Sequence, residues 1–196
     1  MKKNFAISIL MTVATTVLLG LIYPLVVTGP AQVLFPHKAN GQLIVENGTV
    51  IGSKLIGQEF SGTEYFHSRI SAAGNGYDAA NSGGTNFGPT NQKLIDRVKA
   101  DVASDQAENP STTVPIDLVT SSASGLDPDI TPANAEFQLP RVAKSRGITP
   151  EQLQAVVTAH TQQRQFGALG EPRVNVLELN LDLDKHFPAA KTAEVR

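Results

Sequence analysis

The chain has 196 residues, a formal net charge of -2 and no cysteine. This length suits one domain of ordinary size, and the weak charge excludes nucleic acid as the main partner because such binding requires a basic face. Without cysteine the chain forms neither disulfides nor a lipid-modified cysteine anchor, so its core depends on apolar packing.

The first element is an uncharged apolar segment at residues 5–27. A helix of about 20 residues covers the roughly 30 Å hydrocarbon layer of a membrane, so this segment is long enough to span it. A cleaved signal peptide is the alternative, but its apolar region is usually only about 7–15 residues long. Because Lys2 and Lys3 precede the segment, we expect residues 1–4 in the cytoplasm and an extracytoplasmic domain at 28–196.

A β-hairpin is predicted next. Two aliphatic runs, at 43–45 and 49–51, flank Asn47-Gly48, which supplies the positive φ angles of a tight turn. The second strand extends through residues 55–57 in this prediction. Residues 60–88 are rich in Gly, Ser, Asn and Ala, and we interpret them as an ordered but irregular loop, a kind of segment that is often functional.

Three helices are predicted after the irregular loop. The first begins near Pro89 or Thr90 and ends before Asn109, because apolar residues recur there at helical spacing. The second opens at Thr131-Pro132, is interrupted or restarted at Pro140 and is closed by Gly147. The third opens with a capping box at residues 149–152.

Two strands complete the predicted elements. The first is a short strand at residues 116–120, after Pro115. At 177–183 leucines alternate with polar residues, which indicates a strand with one solvated face; a helix over 174–184 is the alternative. The strands and helices do not follow a strict βαβ rhythm. The predicted fold class is therefore α+β, with one N-terminal transmembrane helix followed by a single mixed α/β extracytoplasmic domain.

The sequence contains little that indicates catalysis or metal binding. The four histidines are scattered, and no pair has the i, i+3 or i+4 spacing that places two imidazoles on one metal. His160 follows the apolar stripe of its helix, and we expect it to be partly buried and hydrogen-bonded. Ser124 lacks the Gly-x-Ser-x-Gly motif of a hydrolase, so an anchored exported hydrolase is only a third hypothesis. We predict neither catalytic nor metal-binding residues.

A glycine-rich segment before the first predicted helix is the main candidate for ligand binding. Glycines ahead of a helix N-terminus can offer backbone N–H groups to a phosphate. The segment lacks the Lys-Ser/Thr pair of a P-loop. We therefore treat the following residues as candidate nucleotide contacts: Ser82, Gly83, Gly84, Thr85 and Asn86.

An ordered set of short motifs resembles the KdpC family, the C subunit of the bacterial high-affinity potassium-transporting P-type ATPase. The matching stretches run from the apolar segment almost to the carboxyl end: Tyr23-Pro24-Leu25, Phe35-Pro36 with Ala39-Asn40-Gly41, Gly57-Gln58-x-Phe60, Tyr65-Phe66-His67-x-Arg69, Ser82-Gly83-Gly84-Thr85-Asn86, Asp117-Leu118-Val119-Thr120, Ser124-Gly125-Leu126-Asp127, Arg141-Val142-Ala143-Lys144 and Val174-Asn175-Val176-Leu177-Glu178-Leu179-Asn180-Leu181. No single motif is specific, but the ordered set is.

The resemblance implies a non-catalytic accessory subunit of an ATP-driven potassium uptake complex in the bacterial cell membrane. Its implied partners are a channel-like potassium-translocating subunit, an ATP-hydrolysing P-type subunit and a small membrane subunit, beside the lipid bilayer. Two roles follow for such a subunit. It stabilises and caps the translocating subunit from outside, or it acts as a catalytic chaperone that raises the ATP affinity of the pump subunit. No cofactor is expected on the chain alone, and ATP is expected only in complex with the pump subunit.

Overall fold

A computed structural model of the protein describes residues 1–189. The chain divides into two compact units, Met1–Ser53 and Lys54–Arg196. The first unit contains an apolar helix and a hairpin, and the second contains the mixed helices and strands with the main core. This arrangement confirms the predicted α+β class with one N-terminal apolar helix that is a candidate membrane span. The boundaries 1–4, 5–27 and 28–196 stay predictions.

The N-terminal helix runs continuously over Lys2–Leu34 and is long and apolar enough to cross a membrane. It consists of α1 (Lys2–Val17), a π-helical turn (Leu18–Ile22) and α2 (Tyr23–Leu34). None of its residues is buried in the protein. Such an exposed apolar surface suits a lipid or protein environment rather than water.

A short helix and the predicted hairpin complete the first unit. Helix α3 (Pro36–Ala39) is followed by β1 (Leu43–Glu46) and β2 (Thr49–Ser53), which pair antiparallel. Asn47 and Gly48 occupy the turn with φ angles of 50° and 79°, as the Asn-Gly pair predicts. The second strand ends at Ser53, so its predicted extension through residues 55–57 was wrong.

The second unit contains the remaining helices and strands. Its helices are α4 (Gln92–Glu108), α5 (Ile116–Val119), α6 (Pro132–Arg146), α7 (Pro150–His160) and α8 (Val176–His186). Its strands are β3 (Asp129–Ile130), β4 (Thr161–Gln162) and β5 (Arg173–Asn175), which form an antiparallel sheet in the order β3-β5-β4. A 3₁₀ turn lies at Ala79–Asn81.

The core of this unit forms where α6, α7 and α8 pack around β5 and the loop residue Phe66. Its fully buried members include Phe66, Leu153, Val174, Leu179 and Leu183. Burying each large apolar side chain contributes about 1.5–3 kcal/mol, so this cluster holds the three helices together. All of the cluster residues lie beyond Ser53.

The predicted helix caps are confirmed. Thr131 and Thr149 are N-caps that each precede a proline, and Thr149 forms the full capping box with Gln152. Gly147 closes α6 at a φ of 67°, a left-handed conformation that suits glycine. Helix α4 begins at Gln92, two or three residues later than expected, because Asn91 provides the side-chain cap.

The interruption expected at Pro140 is wrong, because α6 passes through it. A proline inside a helix removes one amide and leaves the carbonyl four residues earlier without its donor. Here Glu136 and Pro140 both face solvent. Water can therefore satisfy the free carbonyl, and the apolar face of the helix stays continuous.

The two predicted strands at 116–120 and 177–183 are both helical. Residues 116–119 form the single turn α5, with Asp117 in its first turn. The buried residues of α8 are Val176, Leu177, Leu179, Asn180 and Leu183, and Val176, Leu179, Asn180 and Leu183 among them recur at the spacing of one helix face. Asn180 is completely buried, so a polar residue lies on the core face of the helix. The strand prediction was wrong because it placed the polar residues between the leucines on a solvated face.

Candidate functional site

Segment 63–67 precedes the glycine-rich part of the loop and is held by side chains from α6 and α8. The amide of Asn180 accepts from the Phe66 N–H and donates to the Phe66 carbonyl, both at 2.9 Å. Gln138 does the same for His67, at 2.8 and 3.0 Å. These two amides replace the strand partner that the segment lacks, so the loop is ordered without belonging to a sheet.

Two arginines from α6 hold the remaining carbonyls of this segment. Arg141 donates to the carbonyls of Thr63 and Tyr65 at 2.7 and 2.9 Å. Arg146 donates to the Glu64 carbonyl at 2.7 Å and pairs with Asp184 at 2.9 Å. The side chain of Arg146 is completely buried, so its charge needs these partners.

The glycine loop (residues 82–88) packs against a serine turn (residues 121–125). The Gly83 N–H and the Ser82 hydroxyl both donate to the Ser124 carbonyl, at 2.8 and 2.9 Å. The Gly83 amide is thereby occupied within the protein. Residues 89–91 separate the loop from the first residue of α4, and the amide of Lys93 is capped by Asn91.

Two glycines allow this close approach of backbones. A Cβ on Gly84 would lie 2.9 Å from the Ala123 carbonyl oxygen, and one on Gly125 would lie 2.6 Å from the Ala73 nitrogen. Gly125 also has a φ of +66°, which favours glycine. Gly83 differs from both, because a Cβ there would meet nothing within 4 Å.

The other two predicted nucleotide contacts lie on the outer part of the glycine loop. Thr85 is half-buried and Asn86 is exposed, with a left-handed φ of 53°. The five predicted residues are thus contiguous on one loop whose packed side faces the serine turn. Their contact with a nucleotide stays a prediction.

Arg69 connects the irregular loop to the serine turn. Its guanidinium pairs with Asp127 at 2.9 Å and donates to the carbonyls of Thr120 and Ser121 at 3.4 and 3.3 Å. This role of Arg69 was not predicted from the sequence. Arg69 and Asp127 both stood within the motifs that resemble the family, but only the fold brings the two side chains together across 58 residues.

Ser71 and Tyr77 form a second connection beside Arg69. The Ser71 hydroxyl donates to the Gly125 carbonyl at 2.6 Å and accepts from the Tyr77 N–H at 2.7 Å. The Tyr77 hydroxyl donates to the Arg69 carbonyl at 2.7 Å, and burial raises its pKa to about 12. The phenol therefore remains a hydrogen-bond donor at neutral pH.

A polar cleft of about 270 Å³ opens beside Arg69. Its lining residues are Arg69, Asp117, Asp127, Asp129, Ile130, Thr131, Glu171, Pro172 and Arg173. Arg173 pairs with Asp129 at 3.1 Å, and burial raises the pKa of Asp129 despite this arginine. Since each arginine already pairs with an aspartate, the cleft offers polar recognition rather than an unpaired reactive group.

The structure places the remaining candidate residues in ordinary hydrogen bonds. The Ser124 hydroxyl accepts from the Leu126 N–H and lies 3.3 Å from the Ser122 hydroxyl. His160 is half-buried and lies 3.1 Å from Asp182, which confirms its expected environment. His186 reaches the same carboxylate at 3.1 Å, a convergence that the sequence spacing did not reveal. Across residues 1–189, no three His, Asp or Glu side chains are grouped to hold a metal ion.

Comparison with known proteins identifies the family. The sequence model of the family described as "K+-transporting ATPase, c chain" matches residues 5–185. A relative from Koribacter versatilis named "Potassium-transporting ATPase KdpC subunit" is 67% identical over 188 residues, covering 96% of this chain and 97% of the relative. Relatives with the same name from Acidobacterium capsulatum and Caulobacter vibrioides are 59% and 58% identical. Their alignments cover 91% and 88% of this chain, and 96% and 88% of the respective relatives. The chain therefore belongs to the KdpC family of potassium-transporting ATPase subunits.

Proposed function

We propose that this chain is a non-catalytic subunit that assembles and modulates an ATP-driven potassium uptake complex. The family match carries this proposal, because it covers the apolar helix and the globular unit together. The hydrogen bonding of the loop supports it, since Arg69, Ser71 and Gly83 all bind other parts of the chain. Such an ordered loop can hold a binding surface in one fixed geometry.

The proposed topology places the N-terminus in the cytoplasm and residues 28–196 outside it. The two N-terminal lysines support this orientation through the positive-inside rule. In this arrangement the globular unit caps the channel-like potassium-translocating subunit from outside. The helix lies among the membrane parts of that subunit, the P-type pump subunit and the small membrane subunit.

Protease access to a tag at the carboxyl terminus tests the topology. In spheroplasts the tag should be digested, whereas in inverted membrane vesicles it should be protected. Co-purification of the chain with the pump subunit from detergent extracts tests membership of the complex. A tag digested only in inverted vesicles would contradict the cap, and a chain that purifies alone would contradict the assembly role.

A second role as a nucleotide-binding modulator is favoured by one observation. Within the candidate segment 82–86 a Cβ on Gly83 would meet nothing within 4 Å, so the space beside its Cα is open to a ligand although its N–H already donates to Ser124. In this role the loop acts as a catalytic chaperone that contacts ATP held by the pump subunit. A Gly83→Val variant should then weaken the ATP affinity of the complex, while an unchanged affinity would remove the role. This role also requires the loop and ATP on the same side of the membrane.

A further inference from the structure

The N-terminal helix changes its hydrogen-bond register in the middle of its apolar segment. At the π-helical turn Leu18–Ile22 the Tyr23 N–H donates to the Leu18 carbonyl, five residues earlier. In a regular α-helix the same N–H would donate to Leu19. The next residue is Pro24, which has no N–H to donate.

These two facts leave the Leu19 carbonyl without a donor inside the helix. Its α-helical donor, the Tyr23 amide, is taken by Leu18, and its π-helical donor would belong to Pro24. A serine or threonine three or four places later could reach back to it, as Thr12 and Thr15 do to Ser8 and Met11. The residues at those places are Ile22 and Tyr23, which have no short hydroxyl.

The free carbonyl lies at a depth where water cannot replace the missing donor. Leu19 is eight residues before the end of the 5–27 segment, which is about 12 Å along a helix. In a layer roughly 30 Å thick this position is well inside the hydrocarbon. Backbone groups at such depths are paired within the helix, with neighbouring helices or with water in a cavity.

The surface beside this carbonyl is open to close approach. A Cβ on Gly20 would meet only the Thr16 side chain, at 3.9 Å, so the backbone is accessible there. Close contact between helices in membranes is common at such small residues, and it brings a donor within reach of a carbonyl. The free carbonyl and the accessible backbone therefore lie at the same place on the helix.

We propose that the turn Leu18–Pro24 is a docking point for a transmembrane helix of another subunit of the complex. That helix donates a hydrogen bond from a Ser, Thr, Asn or Gln side chain to the Leu19 carbonyl. This inference rests on the proposed assembly role. Lipid tails carry no donor. In residues 17–27 of a parallel second copy the one side-chain donor is the Tyr23 hydroxyl, which lies about one helical turn from the level of Leu19.

Restoring the missing amide tests the hydrogen bond. In Pro24→Ala the helix can close into a regular register and satisfy its own carbonyl. The matched control is Pro30→Ala, in the same helix but beyond the 5–27 segment. After affinity purification of the detergent-solubilised complex, the Pro24→Ala chain should dissociate about 3- to 20-fold more readily than wild type. Pro30→Ala should match wild type.

Equal retention of the two variants would overturn the proposal. The topology assay with the carboxyl-terminal tag confirms that both variants insert normally. If wild type itself fails to purify with the ATPase, the assembly role has failed. If Pro24→Ala is retained less well than wild type while Pro30→Ala is retained equally well, the docking point is supported.

A photo-crosslinking experiment identifies the protein that docks at this turn. Because the chain has no cysteine, a single Thr16→Cys or Leu18→Cys variant accepts one benzophenone label. The two positions lie about 200° apart around the helix, and Thr16 adjoins Gly20. The label at position 16 should capture a transporter subunit much more strongly than the label at position 18. Equal capture, or capture of a second copy of this chain, would overturn the proposal.

Discussion

Single residues explain why a 29-residue segment without strands, at 60–88, is nevertheless ordered. Asn180 is completely buried, yet both of its polar atoms are paired with the backbone of Phe66. Leaving such a pair unmade would cost about 1–3 kcal/mol for each buried group. The buried Asn180 side chain therefore stabilises the loop, and its hydrogen bonds offset the cost of placing a polar group in the core.

The two neighbouring glycines of the loop should respond differently to alanine. Gly84→Ala places a methyl group 2.9 Å from the Ala123 carbonyl oxygen. We expect it to lower the free energy of unfolding by about 1–3 kcal/mol. Gly83→Ala is the matched control, since its Cβ enters open space and it should change stability by no more than about 1 kcal/mol. Chemical denaturation of both variants tests this, and equal stability would contradict the close packing.

His67 should make stability depend on pH. Burial, and then the nearby charge of Arg141, lower its pKa from the ordinary value of 6.5. The folded protein thus binds this proton less readily than the unfolded chain, so the stabilisation is present above pH 6.5 and is lost as the pH falls through the folded pKa.

The test compares unfolding free energies of wild type and His67→Gln at several pH values. Below pH 6.5 wild type should lose stability relative to the variant, which cannot bind the proton. The exposed His37 provides the control, and His37→Gln should follow wild type. Parallel curves for wild type and His67→Gln would contradict the prediction.

At the scale of elements, helix ends were predictable from the sequence, and short elements were not. Thr131, Thr149 and Gly147 act through hydrogen bonds within a few residues, so their positions in the sequence determine their roles. At α8 the sequence favoured a strand and left a helix as the alternative, because the buried face of α8 includes Asn180, whose partner is a distant loop. Its N-cap, Asn175, was a local signal that the strand prediction overlooked.

Helix α5 was missed because tertiary contacts of Asp117 determine it. The buried Asp117 carboxylate accepts from the Thr131 N–H and hydroxyl at 2.9 and 3.1 Å, and from the Asn134 amide at 3.1 Å. A negative group at the start of α6 is also favoured by the helix dipole. The single turn α5 is therefore fixed against the N-terminus of α6.

We expect Asp117→Asn to destabilise the protein by about 1–3 kcal/mol, because an amide has only one acceptor oxygen and turns its NH₂ group toward a donor. The control is Asp96→Asn on the exposed face of α4, where Asp96 accepts from its helix neighbour Gln92. That change should stay within about 0.5 kcal/mol. Thermal unfolding of both variants gives the comparison, and a neutral Asp117→Asn would refute the anchoring role.

At the scale of the whole molecule, the division into two units predicts that the second unit folds alone. Every residue of the main core cluster lies after Ser53. A chain of residues 54–196 should therefore unfold cooperatively, as judged by circular dichroism and calorimetry. Leu179→Ala in this fragment removes a completely buried side chain and should cost about 2–5 kcal/mol. A fragment without a cooperative transition would show that residues 1–53 are required for folding.

The sequence allowed us to predict the fold class, the membrane helix and the identity of the family, but only part of the candidate site. The glycine loop was found because glycine and serine mark it locally. Arg69 and Asp127 were not assigned a role, since their pairing depends on a fold that joins positions 58 residues apart. The π-helical turn was also missed, because a proline inside an apolar segment does not by itself specify the hydrogen-bond register around it.

The pairing of Phe66 with Asn180 also constrains the order in which the protein acquires its structure. The two residues are 114 positions apart, so the loop cannot be fixed until almost the whole chain has left the ribosome. Contacts between residues so far apart in the sequence form slowly. Until this contact forms, the backbone of the loop is exposed to proteases. A nascent chain that stops before α8 should therefore be a substrate for quality-control proteases, which links completion of synthesis to survival of the subunit.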